Sequence, residues 1–291
     1  MELEPLCFLT YGILNVGYVY FLVLRPIKEN AMRFKLTLQI LPDTLGRELP
    51  INYQYELSAA IYRILSRSDK DYSLWLHENG FIAGGKRFKL FTFSNLIVSQ
   101  YSIHKERQRL IIKSDTVEWY ISFLPEKSTQ QFIEGVFRQQ SFHIADKISG
   151  VEFLVREVQV MPPLDYLKEM YFQTLSPVCV SKRRDDGKSD YLSPTDSSYV
   201  SGLVTGLLAR YEAYYGKEYE GEVCCDFQVL NEPKPVLIKI KAGTPQQTFV
   251  KGFRYNFKVN LPEVLMSIGY ESGWGEKGAI GFGMIARNDC F

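Results

Sequence analysis

From Met32 onward the chain alternates with a period of two. Phe34, Leu36, Leu38 and Ile40 interleave with Arg33, Lys35, Thr37 and Gln39. An extended strand buried on one face satisfies that pattern. The segments that follow narrow the fold further. Leu57, Ile61, Ile64 and Leu65 recur at helical spacing, which predicts an amphipathic helix over 52–66 and a short helical piece over 72–79. Gly84-Gly85 breaks the chain. Strands are expected at 89–98, 109–113 and 117–124, a helix at 129–139 and another alternating strand at 151–161. Strand, helix, two strands, helix, strand is the split βαβ order of a ferredoxin-like domain. The segment 89–98 is one strand more than that order needs.

Pro162-Pro163 marks a linker. Beyond it the pattern predicts a strand at 174–181 and a helix at 197–215. A hairpin of 222–230 and 236–241 is expected around 231–235. A long strand at 248–259, a short helix at 261–268 and a last strand at 282–287 follow. The order repeats that of the first half with one strand added. The expected architecture is α+β, two tandem ferredoxin-like domains over 32–162 and 168–291. Residues 1–31 precede the first strand. The run 6–24 is uncharged and long enough to span a bilayer, but Thr10, Gly12, Asn15 and Gly17 dilute it. Glu2 and Glu4 stand where a secretory signal carries basic residues. We therefore expect an extension outside the fold, upstream of a start at Met32, rather than a membrane anchor.

Composition excludes several classes. The chain has 291 residues, 46% of them hydrophobic, enough to fill a core, so disorder, collagen and coiled coil are ruled out. Its 34 basic and 33 acidic residues leave a net charge of +1, so bulk charge names no partner. Cys7, Cys179, Cys224, Cys225 and Cys290 include no C-x-x-C pair. Neither a zinc knuckle nor a disulfide framework is indicated, and a reducing cytoplasm fits. The adjacent pair, in the strand-like run 222–230, is expected to include one buried thiol.

Residues 269–283 read G-Y-E-S-G-W-G-E-K-G-A-I-G-F-G. Gly273 to Gly278 formally matches G-x-G-x-x-G, but only thirteen residues remain after it, too few for a βαβ unit. The segment is either an anion-binding nest of backbone N–H groups or a tight turn between a helix and the last strand. Charge clustering favours the first. Between 84 and 113 stand Lys86, Arg87, Lys89, Lys105, Arg107, Arg109 and Lys113 against Glu106 alone. Between 236 and 260 stand Lys239, Lys241, Lys251, Arg254 and Lys258 with no acid. On the long strand, Arg254, Asn256 and Lys258 share one face, and Phe253, Tyr255, Phe257 and Val259 the other. Two basic patches in a neutral chain point to a polyanion.

Several stretches resemble one family. The glycine segment ending in Gly281-Phe282-Gly283-Met284 is similar to the signature of the RAMP-type CRISPR repeat-RNA processing endoribonucleases. The helix Y-Q-Y-E-L-S-A-A-I-Y (53–62), Leu76-His77-Glu78, the run K-L-F-T-F-S (89–94) and T-L-S-P-V (174–178) resemble further family segments in the right order. The resemblance covers about 32–287. It implies two tandem ferredoxin-like domains and cleavage of the repeat transcript into guide RNAs. It also implies metal-independent chemistry, with 2′-hydroxyl attack leaving a 2′,3′-cyclic phosphate and a 5′-hydroxyl, and no cofactor.

Such a reaction needs a base, an acid for the leaving oxygen and a cation for the phosphorane. Histidine suits the acid or base near neutral pH, and the chain offers His77, His104 and His143. No H-E-x-x-H or dense carboxylate cluster points to a two-metal nuclease. The resemblance makes His77 the general acid, Tyr62 a base or orienter, and Lys89 the stabilising cation. The plain alternatives are a helix-end histidine and a helix aromatic. Lys86 and Arg87 rival Lys89, because an insert around 81–87 separates it from His77. His104 is expected to be solvated or near a phosphate, and His143 structural. The expected RNA contacts are Lys239, Lys241, Lys251, Arg254, Lys258, Gly273, Trp274, Gly275, Lys277, Gly278, Gly281 and Gly283. Trp274 either stacks on a base or lids the core. The implied partners are precursor repeat RNA, CRISPR effector proteins and a second copy in a homodimer, with no membrane. The alternative function is a non-cleaving RNA-binding RAMP subunit. A third reading, a metabolic enzyme holding a nucleotide phosphate, predicts no preference for RNA.

Overall fold

The strand Met32–Leu41 follows its alternation, with Phe34, Leu36, Leu38 and Ile40 buried. Each such side chain contributes about 1.5–3 kcal/mol by leaving water. The computed structural model describes residues 32–289, together with the backbone of Tyr20–Leu22. Met32–Leu41 pairs antiparallel with Gly150–Val160 on one side and Thr116–Phe123 on the other. Phe91–Phe93 adds the outer strand beside Thr116–Phe123. Taken in chain order, the four strands lie 4-1-3-2 across the sheet. That is the ferredoxin-like arrangement. Gln54–Ser68 and Glu126–Arg138 are its two crossover helices. They cross in backbone contact at Gly135, where a Cβ would lie closer than 3.0 Å to the Ile64 carbonyl oxygen. The expected extension falls outside the described residues except for Tyr20–Leu22, which runs parallel beside Glu157, Val158 and Gln159.

Two expectations change in this half. The strand expected at 89–98 shrinks to Phe91–Phe93, because Leu90 adopts a positive φ of 53° and the chain turns away after Phe93. It is the second strand of the domain, not a surplus one. The surplus strand is Arg109–Ile112. It leaves the main sheet for a small one with Glu48–Pro50 and Tyr101–His104. Buried Arg109 holds it there through Asp146 at 2.7 Å and Glu48 at 3.7 Å. A further strand, Ser141–Ala145, lies outside the expected elements and forms a hairpin with Gly150–Val160.

The second half repeats the arrangement. Met170–Thr174, Asp226–Val229, Asn256–Asn260 and Ile285–Arg287 form one sheet, again 4-1-3-2 in their own chain order. The helices are Tyr199–Tyr215 and Glu263–Ser272. The hairpin expected around 231–235 does not form. Asp226–Val229 pairs with Asn256–Asn260, whereas Lys234–Ile240 pairs with Thr248–Arg254. The long strand expected over 248–259 is thus cut at Tyr255. That ring is buried, its hydroxyl 2.5 Å from the Tyr199 hydroxyl, and its N–H donates to Thr174 Oγ1 at 3.2 Å. The opening strand lies at Met170–Thr174, and 174–181 contributes only single bridges at Val178 and Cys179 before Ser181–Arg183. The buried thiol is Cys179, pushed up to about 12 by burial; Cys224 is exposed and Cys225 half-buried.

The domains meet through buried polar groups. Arg33 donates to the carbonyls of Ile285 (2.6 Å) and Tyr270, with its guanidinium 3.5 Å over the Tyr270 ring. Ser122 donates to Glu271, whose carboxyl burial pushes above its usual range. Thr92 Oγ1 donates to the Phe282 carbonyl at 2.9 Å, and Ser58 Oγ to the Ala279 carbonyl at 2.6 Å. Among the described residues, no helix is long and apolar enough to cross a membrane.

Candidate active site and RNA-binding surface

The helix Gln54–Ser68 turns Leu57, Ile61, Ile64 and Leu65 into the core. Tyr62 sits beside that stripe, half-buried. Asp69 then caps a second helix, Lys70–Glu78, by accepting the Tyr72 N–H at 2.8 Å. Burial of Tyr72, Ser73 and Leu76 leaves His77 exposed in its last turn. The His77 ring meets Tyr62 edge-on, centroids 5.0 Å apart at 89°. Tyr62 also packs against Phe91 at 5.8 Å.

The insert that lengthens the connection to Lys89 is a hairpin, Phe81–Ala83 paired with Lys86–Phe88. It folds the chain straight back. Lys89 Nζ donates to the His77 carbonyl at 2.7 Å, and Arg87 Nη1 to the Glu78 carbonyl at 2.9 Å. Twelve positions of sequence are thereby closed into one contact, which brings the Lys89 ammonium to the helix end whose His77 ring meets Tyr62. Lys86 stands exposed on the hairpin. Burial, then the charge of Arg87, lowers the Lys89 pKa below its usual value. Burial raises the Tyr62 phenol well above its usual value, so nothing in its surroundings makes it a phenolate.

The other histidines lie elsewhere. His104 belongs to the small sheet, its Nδ1 accepting the Arg107 N–H at 3.4 Å. His143 is exposed on Ser141–Ala145, and its carbonyl accepts from Arg63. The first basic run also disperses. Lys86, Arg87 and Lys89 stay with the His77 helix, whereas Arg107 and Arg109 pair with Glu48 in the small sheet.

The second basic run divides as well. Lys239 and Lys251 stand on the outer face of the Lys234–Ile240/Thr248–Arg254 hairpin, their ammonium groups 5.7 and 5.1 Å over the rings of Phe249 and Phe253. Lys241 lies at the hairpin turn and donates to Gln246 Oε1 at 3.3 Å. Arg254 is half-buried near Tyr53, the first-domain phenol that burial pushes up to about 12. Lys258 pairs with Glu169 at 3.1 Å. Burial alternates as expected through Val259, but the cut at Tyr255 puts Arg254 and Lys258 in different sheets.

The glycine segment requires the largest correction. Gly269 to Ser272 lie inside the helix Glu263–Ser272. Trp274 is fully buried between Phe172 (6.2 Å) and Phe257 (5.3 Å), so no ring face is open to a base; it lids the core. Gly273, Gly275, Gly281 and Gly283 are buried too. The N–H groups of Gly273, Trp274, Glu276 and Gly283 go to the carbonyls of Gly269, Gly283, Cys179 and Pro177. With those donors occupied, the segment is a clasp rather than an anion nest. Lys277 is exposed, whereas Gly278 is half-buried against the Phe91 and Ser272 carbonyls and its own carbonyl accepts the Gly281 N–H.

Sequence reasoning missed Arg210. It is buried under the segment, donates to the Gly275 carbonyl, and burial lowers it to about 10. Its spacing gave a signal: Leu203, Leu207 and Arg210 lie on one helical face, so the guanidinium had to enter the core.

Two ferredoxin-like sheets of the same strand order, joined by a glycine clasp, define a tandem ferredoxin-like protein. Two family models match in succession: "CRISPR-associated protein Cas6, N-terminal" over residues 48–159 and "CRISPR associated protein Cas6, C-terminal" over residues 160–286. The CRISPR-associated endoribonuclease Cas6 1 of Methanocaldococcus jannaschii is 30% identical over 263 residues, spanning 89% of this chain and 94% of that protein. A solved structure described as a Cas6-related gene product from Pyrococcus furiosus superposes with a TM-score of 0.75 at 25% identity, covering 89% of this chain and 99% of its own. Another, described as a RAMP protein binding different RNA substrates, gives 0.73 at 26% identity, with 89% and 100% covered. The chain belongs to the Cas6 family.

Proposed function

We propose that this protein is an endoribonuclease that cuts CRISPR repeat transcripts into guide RNAs by attack of the RNA's own 2′-hydroxyl. The convergence of Tyr62, His77 and Lys89 carries the reading. The 2′-oxygen forms a bond to the adjacent phosphorus as the P–O5′ bond breaks. The 2′-proton passes to a base, and His77 gives a proton to the departing 5′-oxygen. A 2′,3′-cyclic phosphate and a 5′-hydroxyl result, without a metal ion. Lys89 supplies the cation that balances the charge of the phosphorane. With its phenol pushed upward, Tyr62 serves as an orienting hydrogen-bond group rather than the base. Lys239, Lys251, Arg254 and Lys277 follow the RNA backbone. The closed glycine segment gives no support to a mononucleotide-phosphate reading.

Labelled repeat RNA incubated with the protein in EDTA tests this. We expect cleavage at one position, abolished by a single 2′-deoxy at that site. His77→Ala should lower the single-turnover rate about 10²–10⁴-fold with affinity retained. Tight binding without product would instead identify a non-cleaving RNA-binding subunit.

A further inference from the structure

The inserted hairpin meets the end of the His77 helix with two cations. Arg87 and Lys89 donate to the carbonyls of Glu78 and His77. Both carbonyls belong to the last turn, where backbone oxygens have no intrahelical partner. Both cations also oppose the negative end of the helix dipole. The hairpin is fastened by its other face. Phe81 and Phe88 are cross-strand partners, whereas Ile82 and Arg87 are paired on the opposite face. Phe81 packs edge-on against Trp75 at 5.3 Å and reaches Tyr214 of the second domain's first helix at 6.3 Å. The chain enters the hairpin through Gly80, where a Cβ would lie closer than 3.0 Å to the Phe88 carbonyl oxygen. With Phe81 seated on both domains, the position of Arg87 over the helix end is fixed.

We propose that Arg87 is a positioning residue for cleavage: by capping Glu78 it holds the helix end that carries His77 and sets the stretch that delivers Lys89. This rests on His77 and Lys89 being the cleaving pair. Arg87 acts through them and not on the RNA. Its charge also disfavours protonation of Lys89, second to burial in size.

The test uses the full chain, single-turnover cleavage of end-labelled repeat RNA, and binding measured across a salt series. Arg87→Gln should slow cleavage at saturating protein about tenfold to a hundredfold, the scale expected when a reacting group is misplaced. Affinity and its salt slope should not change. Arg87→Lys keeps the charge and a donor for the one carbonyl, so it should melt with the wild type and restore most of the rate. A normal rate in Arg87→Gln overturns the proposal. So does a salt slope lowered by about 0.7, the signature of one lost single-strand phosphate contact. A lysine variant as slow as the glutamine variant overturns it too. His77→Ala in the same assay separates the two layers: if it still cuts, the proposed function fails. If it is inactive while Arg87→Gln is normal, only the role of Arg87 fails.

Discussion

Two glycine-bearing segments bridge the domains, and they make different demands on glycine. Gly84 and Gly85 turn the inserted hairpin with φ of 53° and 73°, and a Cβ on either would meet nothing within 4 Å. In the C-terminal segment, a Cβ on Gly275 or Gly283 would lie closer than 3.0 Å to the carbonyl oxygen of Cys179 or Trp274. On Gly281 it would lie 2.8 Å from the Phe93 ring. The hairpin needs backbone conformation and leaves Ile82, Lys86 and Arg87 exposed. The clasp needs space in addition to positive φ, which is 89° at Gly275 and 78° at Gly283, and it turns most of its polar groups to the interior. The side chains proposed to react gather at the first segment, and the second ties the domains together through Thr92 and Ser58.

Three measurements would break or sharpen that contrast. Gly283→Ala should have the largest effect, destabilising the protein by about 3 kcal/mol or more, because the methyl meets main chain that cannot yield. Its melting temperature should fall by about 6–12 °C. Gly84→Ala meets no neighbour and strains only its φ, so its fall should stay near ~2–4 °C. Equal losses would erase the distinction.

Lys89→Arg examines the hairpin side through pH. Burial and Arg87 disfavour the protonated lysine, so its charge is lost at a lower pH than the usual 10.5. Beyond any decline set by deprotonation of the general acid, cleavage should therefore fall further as pH rises through that lowered lysine value. Arginine keeps its charge, so the variant's decline should move to higher pH. If that further decline does not move in the arginine variant, Lys89 is out of the reaction. The smallest effect is expected at the second domain's hairpin. Lys251→Ala should reduce the salt slope of RNA binding by about 0.7 and leave the saturated cleavage rate unaltered.

Local pattern was legible wherever one element answered to one core. The alternation from Phe34 to Ile40 and the helical stripe of Leu57, Ile61, Ile64 and Leu65 both appear as read, because burial acts on each residue through its own periodicity. The tandem ferredoxin-like order followed from stringing such elements together. Strand partners were less legible. Residues 248–259 alternate continuously, yet the chain changes sheet at Tyr255 because a buried hydroxyl finds Tyr199, 56 positions away. Arg109 leaves the main sheet because Asp146 and Glu48 reach it, which no local window contains.

The same division runs through the site. Resemblance to the family pointed to His77, Tyr62 and Lys89, with Lys86 and Arg87 as rivals to the lysine, and the sequence's own periodicity placed the helices that carry two of them, because helix periodicity is local. Tertiary structure alone decided that the insert folds back to set Lys89 against His77. It also decided that Trp274 faces Phe257 rather than solvent, and that the glycine segment closes on itself. A side chain's type is written in the chain, but its neighbours depend on which distant segments pack against it.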